Sequence, residues 1–439
     1  MIAPARLAAY DVLRAVNSGR SDLPDALAGE IATGTLRWQG AFDAVVESFA
    51  KRPVSKLDAQ VLDILRMAVF QLLHLDRIPA SAAVNDAVAL TGKAGKKSAA
   101  GLVNAVLRRI SRERNYLPLP PRPDPEIVAG TSGRKYLATT LSHPGWLVAK
   151  WLDRYGFEAA EKWATFDNEP ASLTLRANTL RVTREELAER LMSFGVATEP
   201  TRFARHGLTV RDGNPLLTSI ASDGLFLVQD ESSQLVAELV MAAPGERILD
   251  ACASPGGKTM AMAASMNNRG LIVATDLRGR RVDLLKRTID AHGGTCVRVT
   301  RADISAVLPF APVFDCVLLD APCSGLGTLR RDPDIRWRRT QTDINRLAAT
   351  QSQMLNRVAD VVVPGGRIVY ATCSGEPEEN EEVVSSFLAA RSDFALAPVR
   401  IPPTLSSFMT PSGHFRTLPF RDGLEAFFAA ILVKTKDLR

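Results

Sequence analysis

The chain has 439 residues, too many for one hydrophobic core, so we expect two to four domains. Its apolar share of 46% and charged share of 23% are typical of globular proteins and argue against disorder or low complexity. The formal net charge of +6 is mildly basic, which is compatible with a nucleic-acid partner but does not require one.

The cysteines and the N-terminal residues indicate a protein with reduced thiols. All five cysteines lie in the second half of the chain and none has CxxC spacing, so we expect neither a disulfide framework nor a metal site. The first residues lack the apolar core and cleavage site of a secretory signal, and no run approaches the ~18 to 20 apolar residues of a membrane span. We therefore expect a cytoplasmic protein without a membrane or metal partner.

Residues 1–117 predict an all-α domain. Apolar residues recur at helical spacing over 57–75, and Ser81 and Ser98 begin two further predicted helices. Seven lysines and arginines but a single acidic residue lie in 92–115. Such a charge run fits either a solvated helix face or a surface that binds RNA.

A proline-rich segment, 118–125 (PLPPRPDP), predicts a stiff linker and the clearest domain boundary. Linker and helices are expected over 118–170. Over 171–228 the pattern changes to short strands around one amphipathic helix that ends at Gly195. Small sheets of this kind often bind RNA, and a structural spacer fits these residues equally well.

From 229 to 439 the predicted elements alternate between strand and helix. The predicted strands cover 247–252, 270–276, 296–300, 314–320, 367–371 and 426–434, with helices over 231–241, from 257, over 280–292 and over 344–362. Alternation with Val/Ile/Leu-rich strands predicts a doubly wound, mostly parallel sheet, which is a Rossmann-like α/β domain.

The segment 247–259 (RILDACASPGGKT) reads as a strand, a loop of small residues and the start of a helix. Small side chains let backbone N–H groups approach a ligand closely at a helix N-terminus. The loop is not a nucleotide P-loop, because Cys252 stands where the Walker pattern needs its first glycine. The dinucleotide pattern GxGxxG is also missing.

Three carboxylates follow successive predicted strands and help to choose the ligand. Asp276 ends the second strand, Asp303 follows the third and Asp320 ends the fourth. A carboxylate after the second strand of such a sheet binds a ribose diol. Three carboxylates would repel a triphosphate, but they suit a ribose, an adenine amino group and a cationic centre. The predicted cofactor is therefore S-adenosylmethionine (SAM), although helix capping would explain one of the three.

Cys323 and Cys373 each lie in a small-residue turn after an apolar run. Cys296 and Cys316 lie inside predicted strands and are interpreted as small buried apolar residues. For the first two, no histidine is near enough to suggest a metal, and redox pairs are normally local. A thiol nucleophile is the hypothesis that remains, and the spacing suits either cysteine.

A thiolate, SAM and RNA together suggest methylation of a pyrimidine at C5. That carbon attacks a methyl group only after a thiolate has added at C6. An acid near N3 and a base that removes the C5 proton complete such a reaction, and Asp320 is the candidate acid. Five arginines and a tryptophan are candidates for holding RNA phosphates and stacking a base. They are Arg330, Arg331, Arg336, Arg338, Arg339 and Trp337.

At these residues the chain closely resembles the NOL/NOP/Sun family of RNA cytosine-C5 methyltransferases. The resemblance covers about 229–434 and is carried by DACASPGGKT, TDLRGRRVDLLKR, LLDAPCSGLGTLRRDPDIRWRR and YATCSGEPEENEEVV. The N-terminal part resembles NusB, an RNA-binding helical factor, through GTLRWQGAFD, LRMAVFQLLHLDRIP and GLVNAVLRRI. The combination is similar to the bacterial Sun/RsmB subgroup, which implies 16S ribosomal RNA as substrate.

The resemblance implies a role for each matching residue. Cys373 would be the nucleophile and Cys323 would assist release of the product. It also implies that 171–228 is a ferredoxin-like RNA-binding module. The residues that it implies for SAM binding are Cys252, Ala253, Ser254, Pro255, Gly256, Gly257, Lys258, Asp276, Asp303 and Asp320.

Two departures from the family pattern are visible. Ser254 replaces the usual alanine of the loop, and Ala426 stands where the family's C-terminal motif has glycine, so we expect an altered last hairpin.

Two alternatives to methylation of 16S ribosomal RNA are the same chemistry on transfer RNA, or a non-catalytic RNA-binding assembly factor. We expect a monomer whose partner is 16S ribosomal RNA, naked or in a partial small subunit.

Overall fold

The computed structural model describes residues 2–17, 26–124, 131–396 and 401–435. Pro125, the last residue of the predicted linker, lies outside these ranges. The chain divides into two compact units. One is Met1–Pro170 with Leu329–Arg338, and the other is Ala171–Thr328 with Arg339–Arg439. The sequence did not predict that Leu329–Arg338 belongs to the N-terminal unit.

Within the described residues of 1–170, all regular secondary structure is helical. The α-helices are α1 (Pro4–Asn17), α2 (Ala26–Arg37), α3 (Gln39–Ala50), α4 (Ala59–His74), α5 (Ala80–Lys93), α6 (Ala100–Glu113), α7 (Thr131–Lys135) and α8 (Gly145–Asn168). The side chain of Asp58 caps α4 by accepting from the Gln60 backbone N–H at 2.9 Å. Gly34 lets α2 approach α4, because a Cβ there would lie 2.1 Å from the Phe70 ring. The apolar faces of these helices form one buried core.

The second unit begins with a small antiparallel sheet. Its elements are β1 (Thr174–Ala177), α9 (Arg184–Ser193), β2 (Ala197–Pro200), β3 (Gly207–Asp212) and β4 (Phe226–Val228), and the strand order is β2-β3-β1-β4. A capping box between Thr183 and Glu186 begins α9. The strand β2 was not predicted, because its sequence, ATEP, lacks the apolar alternation of a half-buried strand.

The large domain of the second unit contains an eight-stranded sheet. Its first elements are α10 (Glu231–Leu239), β5 (Arg247–Asp250), α11 (Gly257–Ser265), β6 (Leu271–Asp276), α12 (Gly279–His292), β7 (Val297–Arg301) and β8 (Phe314–Asp320). After α13 (Ile335–Arg338), which lies in the first unit, follow α14 (Gln341–Ala359), β9 (Val362–Thr372), α15 (Glu381–Ala390), β10 (Phe394–Leu396), β11 (Phe415–Thr417), α16 (Pro419–Asp422) and β12 (Phe427–Lys434).

The sheet is mixed, with the order β10-β12-β9-β8-β5-β6-β7 and β11 paired to β12. The strands β5 to β9 are parallel, as predicted, and β12 runs antiparallel to β9. The chain order reverses between β5 and β8, and the crevice beyond the carboxyl ends of strands at such a point is where ligands bind in open α/β sheets. The predicted strand at 296–300 begins one residue later, so Cys296 lies just before β7 rather than inside it.

Candidate active site

The loop after β5 is shaped by its small residues. Its Ala253 N–H donates to the Thr275 carbonyl at 2.8 Å, which ties the loop to the end of β6. Gly256 has φ +110°, and a Cβ there would lie 3.1 Å from side-chain atoms of Leu285 and Thr288. Glycine is therefore required at this position for both its backbone angle and its space. Ser254, the departure from the family pattern, is buried, and its carbonyl accepts from Arg281 at 2.7 Å.

A buried carboxyl lies beneath this loop. Asp250 ends β5 and is 1% exposed, and Oδ2 accepts from the Thr259 hydroxyl at 2.6 Å. Burial raises the pKa of Asp250 to about 7. The thiol of Cys252 also has a raised pKa, through burial first and then through the charges of Asp320, Asp250 and Asp276. Cys252 is therefore a protonated thiol beside three carboxyl groups.

The three predicted SAM carboxylates have different surroundings. Asp276 is buried at the end of β6, where the Arg278 N–H donates to it and Arg281 Nε lies 3.1 Å from Oδ2. Asp303 is exposed, and Oδ1 accepts from the N–H and hydroxyl of Ser305, which lowers its pKa. The structure thus brings Asp276 and Asp320 near Cys252, while Asp303 faces solvent and caps its own turn.

Lys258 and Asp320 form an ion pair at the crevice, with Nζ 2.7 Å from Oδ2. Burial alone would lower the pKa of Lys258, but the charge and hydrogen bond of Asp320 outweigh it, and Cys373 adds to the effect, so the pKa is raised. Lys258 is therefore a stable cation close to both Asp320 and Cys373.

The two predicted cysteines meet at the carboxyl ends of adjacent parallel strands. Asp320 on β8 pairs with Ala371 on β9, so the turns that follow these strands lie side by side. The Sγ atoms of Cys323 and Cys373 are 3.2 Å apart. The pKa of Cys323 is raised well above its ordinary value, first by its hydrogen bond to Cys373 and then by burial. Cys316 is buried inside β8, and burial raises its pKa to about 12.

A buried polar network supports both cysteine turns, and the sequence analysis gave none of its members a role. Glu379, fully buried, accepts from the Ser324 N–H at 2.7 Å and from the Ser324 hydroxyl at 2.5 Å. Gln351 Nε2 donates to the same carboxylate at 3.1 Å and to the Pro322 carbonyl at 3.0 Å. Asn380 Nδ2 donates to the Ser374 carbonyl at 2.9 Å. The only signal in the sequence is the acidic run 376–382, which a surface loop would equally explain.

Gly327 joins the second cysteine turn to the last hairpin. Its N–H donates to the Cys373 carbonyl at 3.0 Å, and its carbonyl accepts from the Ala426 N–H at 2.9 Å. A Cβ on Gly327 would lie 2.0 Å from the Ala426 carbonyl oxygen. Ala426 is buried, and its φ is not positive, so alanine fits where the family has glycine.

The arginine-rich segment contains one buried arginine, Arg336, and one mostly exposed arginine, Arg338. Arg336 is fully buried in the first unit, and it donates to the Ser142 carbonyl at 3.1 Å and to Asn168 Oδ1 at 2.9 Å. Trp337 Nε1 donates to the Leu36 carbonyl at 2.8 Å. The guanidinium of Arg336 is occupied by acceptors of the first unit, so the prediction that Arg336 holds a phosphate is wrong. The base-stacking role of Trp337, which is half-buried, stays a prediction.

Among the residues that the structure describes, no helix is both long and apolar enough to cross a membrane. Within the same ranges, no group of three or more His, Cys, Asp or Glu side chains is placed to hold a metal ion.

Three parts of the chain match known protein families. Residues 237–433, which contain the large sheet, match the family 16S rRNA methyltransferase RsmB/F. The large domain is therefore a methyltransferase domain. Residues 5–112 match the NusB family, and residues 143–216 match the ferredoxin-like domain of RsmF/B-like methyltransferases. The chain belongs to the RsmB/F family of 16S rRNA methyltransferases. These matches confirm the predicted family, the NusB-like helical domain, the ferredoxin-like module and the methyltransferase domain.

Relatives extend over nearly the whole chain. The probable ribosomal RNA small subunit methyltransferase B of Bacillus subtilis is 35% identical over 419 residues, covering 94% of this chain and 91% of the relative. Ribosomal RNA small subunit methyltransferase B of Pseudomonas putida is 33% identical over 402 residues, with 88% of each chain covered.

Two solved structures are also similar. The crystal structure of PH0851 is 26% identical, with 99% of each chain covered and a TM-score of 0.82. A methyltransferase homolog from Pyrococcus horikoshii is 27% identical, with 70% of this chain and all of that chain covered and a TM-score of 0.60.

Proposed function

We propose that this protein transfers a methyl group from SAM to C5 of a cytosine in 16S ribosomal RNA, through a covalent bond between a cysteine and C6. The observation that carries the proposal is the pair of thiols, Cys323 and Cys373, 3.2 Å apart. The Lys258–Asp320 ion pair lies beside them. C5 methylation requires a thiol nucleophile, an acid near N3 and a base for the C5 proton, and this cluster offers candidates for all three.

The residues around the loop after β5 fit SAM. Gly256 lets the loop pack closely against Leu285 and Thr288 at the start of α11, and Asp276 is placed to accept from a ribose diol. Two buried acceptors beside the loop, Asp250 Oδ1 and Gln229 Oε1, receive no hydrogen bond within the described protein. SAM supplies an electrophilic methyl group on a cationic sulfur, which buried carboxyl groups favour. The complete proposed set is Cys252, Ala253, Ser254, Pro255, Gly256, Gly257, Lys258, Asp276, Asp303 and Asp320.

Cys373 is the proposed nucleophile. Its thiolate adds to C6 of the cytosine, and the electron pair of the C5–C6 bond becomes available for attack on the methyl group. The Lys258 ammonium lies near this cysteine. This assignment of the two cysteines rests on the family resemblance.

Asp320 and Cys323 have the accompanying roles. Asp320 is proposed to contact N3 and to stabilise the adduct, with the Lys258 ammonium as the donor next to it. Cys323 is proposed to assist release, in which a base takes the C5 proton, the C5–H electron pair re-forms the C5–C6 double bond, and the bond from C6 to sulfur breaks to return the Cys373 thiolate. Its raised pKa makes its thiolate, once formed, a strong base.

We also propose that each of the four parts of the chain has its own role. We assign RNA binding to the NusB-like domain (1–117) and the ferredoxin-like module (171–228), a connecting role to 118–170, and catalysis to 229–439. The names of the relatives favour ribosomal RNA of the small subunit over transfer RNA. A cytoplasmic monomer is part of this proposal.

Labelled SAM and 16S RNA, naked or in partial small subunits, test the function directly. We expect label in 5-methylcytosine of 16S RNA and none in a transfer RNA pool. Mapping 5-methylcytosine in ribosomal RNA from a strain without this protein identifies the modified position. RNA binding without any methyl transfer would instead favour a non-catalytic assembly factor.

A further inference from the structure

A cavity lies in the second unit, between the small sheet and two helices of the large domain. Its volume is about 560 Å³, and it is lined by residues of β1, of the β2–β3 loop, of α10 and of the C-terminal part of α11. The SAM loop adjoins the first residue of α11, whereas Ser265, the last, lines this cavity. Its lining includes Ala261 in the middle of α11 and none of the residues proposed to bind SAM, so we treat the cavity as distinct from the candidate active site.

Arg176 is the unusual residue of this cavity. Side chains alternate along a strand, so Leu175 and Ala177 pack into the core of the small sheet while Arg176 points to the opposite face. Arg176 is 6% exposed. Its guanidinium donates to no acceptor and forms no ion pair within the described protein, and Nε is fully buried without a partner. Burial lowers its pKa to about 10. An arginine remains charged at that value, and an unpaired buried charge is costly.

Within the described residues, neither Arg176 nor Arg205 forms an ion pair with a carboxylate. Arg205 lies exposed at the rim, and the pKa of His206 is lowered by burial and then by the charges of Arg205 and Arg176. Glu238 is the carboxylate among the lining residues, and Oε1 accepts from the Thr404 hydroxyl at 3.0 Å, but it pairs with neither arginine. The cavity is thus lined by two arginines and one carboxylate, and within the described residues the buried Arg176 has no anionic partner.

We propose that this cavity binds a phosphate group of the RNA substrate, with Arg176 as its buried ligand and Arg205 at its rim. The guanidinium matches two phosphate oxygens with two parallel N–H donors, and the phosphate neutralises the buried charge. The proposal rests on the proposed function in one respect, that the substrate is RNA. It places the ferredoxin-like module in direct contact with the RNA backbone.

The test compares four full-length proteins: wild type, Arg176→Met, Arg205→Met and Arg190→Met. Arg190 is exposed on α9 of the same small domain and does not line the cavity, so it controls for the loss of one positive charge. Binding of a 16S RNA transcript is measured at several salt concentrations. Thermal unfolding is measured with and without inorganic phosphate.

We expect Arg176→Met to weaken RNA binding about tenfold, the loss of one charge-assisted contact. The slope of log K against log salt should become shallower by ~0.7 to 0.9. The unfolding temperature of this variant should equal or exceed that of wild type, because an uncompensated buried charge is gone. Arg205→Met should weaken binding in the same direction, and Arg190→Met should bind as wild type does.

Two outcomes overturn the proposal. Unchanged RNA affinity with a lowered unfolding temperature would make Arg176 a structural residue. Stabilisation of wild type by inorganic phosphate with unchanged RNA affinity would make the ligand a free phosphate. If Arg176→Met does not fold, Arg205→Met decides through the same binding assay. The assay measures RNA binding and not methyl transfer, so its result can be interpreted even if the proposed catalytic function is wrong.

Discussion

The Sγ atoms of Cys323 and Cys373 lie 3.2 Å apart, although the two residues are 50 positions apart in the chain. The parallel pairing of β8 with β9, in which Asp320 is opposite Ala371, produces this proximity. Each cysteine follows the end of its own strand, so a single register brings both into one crevice. A shift of that register would separate them.

Replacing each cysteine separately tests the assigned roles. Cys373→Ala should abolish methyl transfer, because no thiolate adds to C6. Cys323→Ala should instead accumulate a protein–RNA adduct that survives denaturation, seen as a slowly migrating band in a denaturing gel. Cys296→Ala, outside the site, is the control and should keep full activity. An adduct with Cys373→Ala and none with Cys323→Ala would reverse the two roles.

Lys258→Met should lower kcat by roughly 10²-fold or more, because the donor beside Asp320 and the cation near Cys373 are both lost. Single-turnover kinetics with saturating RNA measure the effect. Arg281→Met, which removes a different cation from the cofactor side, serves as the control and should act mainly on the KM for SAM. A Lys258→Met enzyme with wild-type kcat would exclude the proposed role.

Glu379→Gln should destabilise the cysteine turns by about 1 to 3 kcal/mol, because an amide nitrogen cannot accept from the Ser324 hydroxyl as Oε2 of the carboxylate does. Urea unfolding measures this loss, and kcat should fall with it. Glu382→Gln makes the same exchange at an exposed position of α15 and should change neither. Equal effects of the two substitutions would show that the buried network does not matter.

The Asp250 carboxyl should make stability depend on pH. Its folded-state pKa is about 7 and its ordinary value is 3.8, so between these values the folded protein binds more protons than the unfolded chain. The contribution of Asp250 to the free energy of unfolding is therefore fully present below pH 3.8. It falls as pH rises, by up to ~1.4 kcal/mol per pH unit, and levels off above the folded-state pKa.

Asp250→Asn removes this titration and keeps an oxygen that accepts from Thr259. Relative to wild type, its stability to urea should rise across that pH window. Asp303→Asn is the opposite control, because the folded-state pKa of Asp303 is lowered. Its loss should cost stability at neutral pH, and that difference should disappear as pH falls through the folded pKa. A constant difference between Asp250→Asn and wild type at every pH would contradict the assignment.

Arg336→Lys should lower the unfolding free energy by about 3 kcal/mol or more, since one ammonium cannot replace a guanidinium that serves several buried acceptors. Arg338→Lys, two residues along and mostly exposed, should stay within ~0.5 kcal/mol of wild type. Unfolding of both variants in urea measures the difference. If Arg336→Lys leaves stability unchanged and only weakens RNA binding, the segment contacts RNA after all.

Periodicity and motif order predicted the large domain well, because a buried parallel sheet leaves continuous apolar strands and each strand end carries a recognisable turn. The strand β8 was predicted with its observed bounds, and helix α12 within one residue. Less regular elements were missed: β2 has little apolar alternation, and β10 and β11 are only three residues each.

The sequence by itself determined which residues are available for chemistry: two cysteines in small-residue turns, carboxylates at strand ends and a loop of glycines. Only the tertiary structure decided how they meet, since strand register brings the thiols together and the fold pairs Lys258 with Asp320. It also buried Arg336 and left Arg176 without a partner. The sequence does not show whether an arginine faces solvent, a backbone carbonyl or a cavity. Its burial and its hydrogen-bond partners are set by residues in distant parts of the chain.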